Sequence, residues 1–275
     1  MSERLPSKAA SVPVDPLLIE QLAETLSAAH SVLFITGAGV SADSGLPTYR
    51  GVGGLYEAET TDEGVPIEAA LSGQMLSARP EVCWKYMLQI ERACRGAEPN
   101  RAHDVISALQ ARSERGWLLT QNVDGLHRRA GSDPMIEIHG NLQKLHCLAC
   151  SWTSRVDDFR TLEPELGTAH APTTPCCPKC GSLIRPEVVL FGEMLPTAAV
   201  AALERELVAG FDAVVSIGTT SAFPYIAAPV MIAKQAGKPT VEINPGTTDV
   251  SSVVDLRIRA TAAATFDALS RVLAL

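Results

Sequence analysis

Phe34-Ile-Thr-Gly-Ala-Gly-Val-Ser-Ala-Asp-Ser-Gly-Leu-Pro-Thr-Tyr-Arg-Gly51 runs from an apolar strand straight into a polar loop punctuated by glycine. Ser31 to Ile35 reads as a short buried strand. Gly37 and Gly39 carry no Cβ, so the chain can turn tightly there and bring its N–H groups close to a phosphate. Tyr49 and Arg50 close the loop. The common dinucleotide fingerprint would place its third glycine at position 42, but this chain has Ala42 there and its next glycine at Gly45. The loop is therefore expected to hold a nucleotide without being the usual G-x-G-x-x-G.

Outward from that loop, strands alternate with helices. Strands are expected at Ser31 to Thr36, Trp117 to Gln121, Met135 to His139, Ala213 to Ile217, Thr240 to Ile243 and Leu256 to Ile258. Helices are expected at Ala102 to Arg112, Thr197 to Ala209, Tyr225 to Ala236 and Ala263 to Leu273. Asp15-Pro16 has the form of a cap followed by a first-turn proline, with Leu18, Leu22 and Leu26 at helical spacing behind it. This is the pattern of an α/β fold with a Rossmann-like doubly wound parallel sheet. Two stretches interrupt it, residues 52–99 mainly helical and residues 141–186 rich in cysteine and proline without clear periodicity. The expected organisation is a flexible tail at 1–13 and a nucleotide-binding domain from 14–51, 100–140 and 187–275. A small helical module at 52–99 and a zinc-ribbon module at 141–186 are inserted into it.

At 275 residues and 46% hydrophobic composition the chain can bury a large core. A net charge of −8 would repel a polyanion, so nucleic acid is not expected as a primary partner. No apolar run is long enough to span a bilayer, and the first residues do not resemble a secretory signal, so a cytoplasmic protein is expected. Five of the seven cysteines fall between 147 and 180. Cys147-Leu-Ala-Cys150 and Cys177-Pro-Lys-Cys180 form two C-x-x-C knuckles, each able to aim two thiolates at one point. Together they supply a closed tetrahedral shell for one structural zinc ion. A redox C-x-x-C is the competing reading, but one redox pair would leave the second unexplained.

In doubly wound sheets ligands gather where strands end. The expected strands end in Gln121-Asn-Val-Asp-Gly-Leu-His127, His139-Gly140, Gly218-Thr-Thr-Ser221 and Asn244-Pro-Gly246. Each has a plain structural reading. The Gln-Asn-x-Asp run can be a turn bonding its own backbone, His139 a satisfied polar residue, and Gly-Thr-Thr-Ser a cap for the next helix. Their assembly at the ends of one sheet is what points to chemistry.

Taken together, Gly37 to Arg50, Thr120 to His127, His139-Gly140, the four cysteines, Arg185-Pro-Glu-Val-Val-Leu-Phe-Gly-Glu193, Gly218-Thr-Thr220 and Ile243-Asn244 resemble, in order, the motifs of the sirtuins, NAD-dependent protein lysine deacylases. The resemblance spans about residues 15–275. It implies a Rossmann-like domain and a small helical and zinc module, with NAD and acyl-lysine meeting between them. By that resemblance Gly37, Ala38, Gly39, Asp43 and Tyr49 contact NAD and Arg50 lies near its phosphates. Gln121 holds the nicotinamide ribose, Asn122 positions it and a water, and Asp124 bonds the carboxamide. Gly218, Thr219, Thr220 and Asn244 hold the adenosine half, with Ala262 near the adenine; Thr220 replaces the family's serine and keeps a hydroxyl. His139 is the expected general base, taking a proton from a ribose hydroxyl so that it can attack the acyl carbon.

Val189, Phe191 and Gly192 would pair with the substrate peptide as an added strand, through main-chain hydrogen bonds; a plain buried strand is the alternative. Relatives that remove succinyl or malonyl groups carry a Tyr and an Arg three residues apart on the small module, and here the matching positions are Met87 and Ile90. Acetyl, or a longer neutral acyl group, is expected, leaving as O-acyl-ADP-ribose with nicotinamide. An ADP-ribosyltransferase using the same pocket and a non-catalytic NAD-binding or zinc-ribbon interaction module are the readings from other classes.

Overall fold

The computed structural model describes residues 14–47, 60–163, 167–168, 171–172 and 174–275. Six strands, β1 (Ser31–Thr36), β2 (Arg115–Thr120), β3 (Met135–Glu137), β9 (Ala213–Ile217), β10 (Thr240–Ile243) and β11 (Leu256–Ile258), form one sheet in the order β11-β10-β9-β1-β2-β3. Every pairing in it is parallel. Val32 to Thr36 and all of β9 and β10 are buried, because helices cover both faces; most of these side chains are apolar, and the buried Glu242 of β10 accepts from Ser251 Oγ at 2.7 Å. Chain order reverses between β1 and β9, which makes the carboxyl ends of these two strands the crevice of the fold.

One face of the sheet is covered by α1 (Pro16–Ala28), α5 (Arg101–Arg112) and α9 (Ala262–Leu273), whose Leu22, Ile106 and Phe266 join Phe34 and Val215 in one core. The other face takes α7 (Thr197–Ala209) and α8 (Pro224–Gln235), with Leu203, Ile226 and Val230 against Leu33 and Ile35. The Asp15 side chain accepts from Leu17 N–H at 3.0 Å with Pro16 in the first turn, as the sequence leads one to expect. The short helix α6 (Leu126–Arg129) follows β2. Two strand ends fall short of expectation. β2 stops at Thr120 and β3 at Glu137, so Gln121 and His139 sit in loops just beyond the sheet rather than in its ladder.

The two interrupting segments share one core. Helices α2 (Ile67–Ala70), α3 (Gly73–Ala78) and α4 (Pro80–Cys94) pack against a three-stranded antiparallel sheet of β4 (Gly140–Cys147), β5 (Thr153–Arg155) and β8 (Ile184–Val188), in the order β5-β4-β8. Trp84 is fully buried between them, its indole N–H donating to the Ile184 carbonyl at 3.0 Å and its ring 5.6 Å from that of Phe159. The β4 strand has no clean alternation because its register with β8 shifts between Asn141 and Leu145. That bulge is why 141–147 does not read as a strand from sequence. A two-residue ribbon, β6 (Gly167–Thr168) and β7 (Ala171–Pro172), completes the elements. Among the described residues no helix is long and apolar enough to cross a membrane.

Candidate active site

Two glycine loops touch at the crevice. The Gly39 N–H donates to the Gly218 carbonyl at 2.8 Å and the Gly37 N–H to Ile217 at 3.1 Å. A Cβ built on Gly39 would stand 2.7 Å from Gly218 Cα, and one on Gly218 would stand 2.5 Å from Val40 N. This corrects the reading of Gly37 and Gly39 as amides turned toward a phosphate. Both N–H groups are already bonded within the protein, and glycine is needed because two backbones pass in contact. Tyr49 and Arg50 lie outside the described residues.

The loop after β2 crosses in front of that contact. Asn122, 5% exposed, donates through Nδ2 to the Gly37 carbonyl at 3.1 Å and to Ser41 Oγ at 3.2 Å. Ser41 Oγ in turn donates to Asp124 Oδ2 at 2.8 Å, while Asp124 Oδ1 accepts from Leu126 N–H at 2.9 Å. The carboxylate thus makes the expected turn bond and also reaches the site. Burial raises its proton affinity above the ordinary aspartate range, opposed by its two donors. Gln121 donates to Thr219 Oγ1 at 2.7 Å, linking the loops after β2 and β9. A small cavity is lined by Ala38, Ser41, Asn122 and Asp124 of the large domain and by Ala93 and Cys94 of α4. A larger cavity, about 170 Å³, lies at the opposite end of the strands around Ser31, Phe211 and Lys238, away from these groups.

His139 follows β3 at the same edge. Its Nδ1 lies 3.2 Å from the Gln121 carbonyl and its Nε2 2.7 Å from the Tyr225 hydroxyl. A carbonyl can only accept, so Nδ1 carries the proton and Nε2 the basic lone pair. Burial lowers its proton affinity below that of free imidazole, and the Gln121 carbonyl partly opposes this. The ring is therefore a neutral base near neutral pH. The next residue, Gly140, is at φ +82, and a Cβ there would be 1.8 Å from the Glu187 carbonyl oxygen. Glycine lets β4 leave directly beneath the imidazole.

The remaining expected contacts are spread around the crevice. Asn244 donates to the Thr219 carbonyl at 3.0 Å and accepts from Gly246 N–H at 2.9 Å, closing the loop after β10. Thr220 is exposed. The Gly-Thr-Thr-Ser segment does not cap α8, whose N-cap is Phe223. Asp43 accepts from Ala263 N–H at 3.3 Å, placing a carboxylate at the amino end of α9. Ala262, the first residue of that helix, is 3% exposed and can offer little beyond its backbone. Val189 N–H donates to the His139 carbonyl, which ties the 189–192 segment to the base. Gly192 turns that segment at φ +79. The main chain of Phe191 is committed elsewhere, its N–H to Leu71 and its carbonyl to Gly73 N–H. This corrects the expectation that Phe191 offers free main-chain groups to a peptide. What it presents is its ring, 36% exposed.

Behind the site sequence reasoning missed four side chains. Ser41 joins Asn122 to Asp124. His103 and His127 are buried with rings 4.6 Å apart, His103 Nε2 lying 3.5 Å from Ser41 Oγ and His127 Nε2 3.0 Å from Thr36 Oγ1. Tyr225 meets the base. Ser41 and His127 stand within quoted motifs, whereas His103 lies in a helix and Tyr225 after a strand-end loop, neither with a signal of its own.

The Sγ atoms of Cys147, Cys150, Cys177 and Cys180 all lie within 4.8 Å of one another, with 3.4 Å between Cys147 and Cys180 and 3.7 Å between Cys150 and Cys177. A tetrahedron of Zn–S bonds of about 2.3 Å has edges of about 3.8 Å, so the cluster fits one zinc ion. In each knuckle a later amide points at the first sulfur, Ala149 N–H to Cys147 at 3.3 Å and Lys179 N–H to Cys177 at 3.4 Å. Such donors suit thiolates. With all four positions taken by protein, the ion is structural.

A parallel sheet with its polar cluster at the switch point, and a closed four-thiolate centre in the adjoining module, defines a nucleotide-binding α/β protein with a structural metal. The comparisons place it further. The profile described as "Sir2 family" matches residues 37–223. NAD-dependent protein deacylase 2 of Pseudomonas aeruginosa is 51% identical over 242 residues, 87% of this chain and 91% of its own. NAD-dependent protein deacylase 1 of Archaeoglobus fulgidus is 36% identical over 253 residues, 92% and 96% of the two chains. A solved Sir2 homologue in complex with NAD superposes with a TM-score of 0.79 at 35% identity, covering 93% of both chains. A mutant Sir2 homologue in complex with 2'-O-acetyl ADP ribose gives 0.79 at 36% identity, covering 93% of this chain and 96% of its own. The chain belongs to the Sir2 family.

Proposed function

We propose that this protein removes acyl groups from protein lysines at the expense of NAD, with His139 as general base. The observation that carries the reading is the neutral imidazole at the sheet's carboxyl edge, its tautomer set by the Gln121 carbonyl, beside Asn122 and Asp124. The residues present fit the dinucleotide. The glycine contact leaves the crevice floor as bare backbone, and Ala38 beside it lines a small cavity together with Asn122 and Asp124. Bound NAD would supply a ribose carbon from which nicotinamide can depart and a ribose hydroxyl that can receive the acyl group, so that with one water consumed the products are nicotinamide, free lysine and O-acyl-ADP-ribose.

The protein's part is positioning and proton transfer. Asn122, held by Gly37 and Ser41, keeps an amide oxygen for the nicotinamide ribose or a water. Asp124 bonds the carboxamide, and Gln121 the ribose on the side of Thr219. Gly218, Thr219, Thr220 and Asn244 face the adenosine half, with Ala262 and Asp43 at its rim. His139 Nε2 accepts the proton of the ribose hydroxyl as that oxygen attacks the acyl carbon. The segment Val189 to Gly192 takes the peptide, through its free main-chain groups and the Phe191 ring. The relative solved with a deacetylated p53 peptide, at TM-score 0.77 and 27% identity, supports a peptide substrate.

The acyl group is neutral, most simply acetyl. Met87 and Ile90 are 1% and 8% exposed in the shared core. The cations of α4, Lys85 and Arg92, are paired with Asp62, Glu63 and Glu163, and Arg95 just beyond it with Glu91 and Glu163, so none of the three is left for an acyl carboxylate. Among the described residues the cysteines form no disulfide, which suits a reducing cytoplasm. His139→Ala tests the reading: turnover should fall by two orders of magnitude or more, roughly the contribution of a general base, with zinc content kept. Retained turnover would remove His139 from its role.

A further inference from the structure

Tyr225 stands at the start of α8, its ring stacked on Phe223 at 5.4 Å and 12°, and both rings meet His139 edge-on at 85°. The phenol oxygen is 2.7 Å from His139 Nε2. We propose that Tyr225 is a positioning residue that caps the base: its hydroxyl donates to the same nitrogen lone pair that must accept the ribose proton, and the ribose hydroxyl of the cofactor has to displace it. This rests on the assignment of His139 as base.

His139 Nδ1 faces a carbonyl and holds the ring's proton, so Nε2 of the neutral ring can only accept. The phenol can therefore only donate to it. One lone pair takes one O–H in good geometry, so phenol and ribose hydroxyl exclude each other. Burial holds the Tyr225 hydroxyl up to about 12, and it stays a donor at neutral pH. Among the described residues the ring's surroundings are otherwise uncharged: the Gln121 carbonyl after β2, Phe223 and Tyr225 at α8, and the Val189 amide after β8, which bonds the backbone. Phe223 is 40% exposed and can swing outward, which leaves the Tyr225 ring, part-buried against the core under α8, room to turn its hydroxyl away from the base. Once the proton has moved to Nε2, the phenol oxygen can return as acceptor, with no covalent change at Tyr225.

Two measurements on Tyr225→Phe test this apart from turnover. In ligand-free protein with ¹⁵N-labelled histidine, assigned with His139→Ala, the Nε2 resonance of His139 should move downfield in the variant, as it does when a bare imidazole nitrogen loses a donated hydrogen bond. By calorimetry, ADP-ribose should bind the variant roughly 2–10-fold more tightly, since one neutral hydrogen bond no longer has to be broken. An unmoved resonance, or affinity unchanged or weakened, overturns the proposal. Should Tyr225→Phe fail to fold, Phe223→Leu loosens the stack and should give both effects in smaller measure, with the same overturning results. Turnover surviving His139→Ala would instead refute the assignment of the base, and the resonance test would still report on the cap.

Discussion

His103 should make this protein lose stability in mild acid. It is fully buried at the first turn of α5, where its Nδ1 accepts from Asn100 N–H at 3.2 Å, and its ring lies 4.6 Å from that of His127. Burial lowers its pKa from 6.5 to about 4, and holds that of His127 well below the ordinary histidine range. Between those values the unfolded chain binds a proton that the folded chain refuses. Stability therefore rises with pH through this window and falls as pH drops from 6.5 toward 4. A shift from 6.5 to about 4 amounts to roughly 3 kcal/mol over the whole window, of which about 2 kcal/mol is lost between pH 7 and pH 5. The carboxylates with lowered pKa, such as Glu137 and Glu193, lose their contribution below their ordinary range, near 4.5, and stay out of this interval. Urea unfolding at pH 7, 6 and 5, with zinc present, should show the His103→Gln protein losing about 2 kcal/mol less than its parent between the extremes. The thiolates are common to both proteins and cancel in the difference, while relief of the His103 charge beside His127 acts in the same direction, toward a smaller loss in the variant. If parent and variant lose stability equally, His103 does not titrate against the fold and the reasoning fails.

Replacing Cys147 or Cys177 by serine should remove the zinc ion and lower the unfolding midpoint sharply, because structural zinc contributes folding free energy outright; metal analysis of the purified variant checks it, and one retained ion per chain would contradict the closed tetrahedral site. Gly39→Ala drives a Cβ into the backbone of Gly218 at 2.7 Å, so it should cost about 1–3 kcal/mol by chemical denaturation and raise the KM for NAD, whereas a variant as stable as its parent would show that the two loops can part freely. The acid limb of kcat/KM should lie below 6.5, since burial keeps His139 unprotonated below the free imidazole range, and a limb above that value would count against it as the base. On matched peptides acetyl should be removed faster than succinyl, and the reverse order would expose a cation not paired as Lys85, Arg92 and Arg95 are.

The parallel sheet is legible because β1, β9 and β10 are buried on both faces and so read as short, mostly apolar runs between helices, with Ser216 and Glu242 as interior exceptions. The zinc site is legible for a different reason: four thiolates at two short spacings have few other uses. Less of the crevice can be read. Gly37 and Gly39 signal a close approach, but a glycine does not say what approaches it, and here that is Gly218 across the sheet. The β4 strand hides behind a register shift. Tyr225 meets His139, His103 meets Ser41 and His127 meets Thr36 across at least 62 positions of the chain, contacts that no local pattern encodes.

Mass spectrometry of the products from NAD and an acetyl-lysine peptide tests the central claim most directly. Nicotinamide, deacetylated peptide and O-acetyl-ADP-ribose should form in equal amounts, all three lost in His139→Ala. Peptide or enzyme gaining the mass of ADP-ribose, with the acetyl group left on lysine, would contradict it.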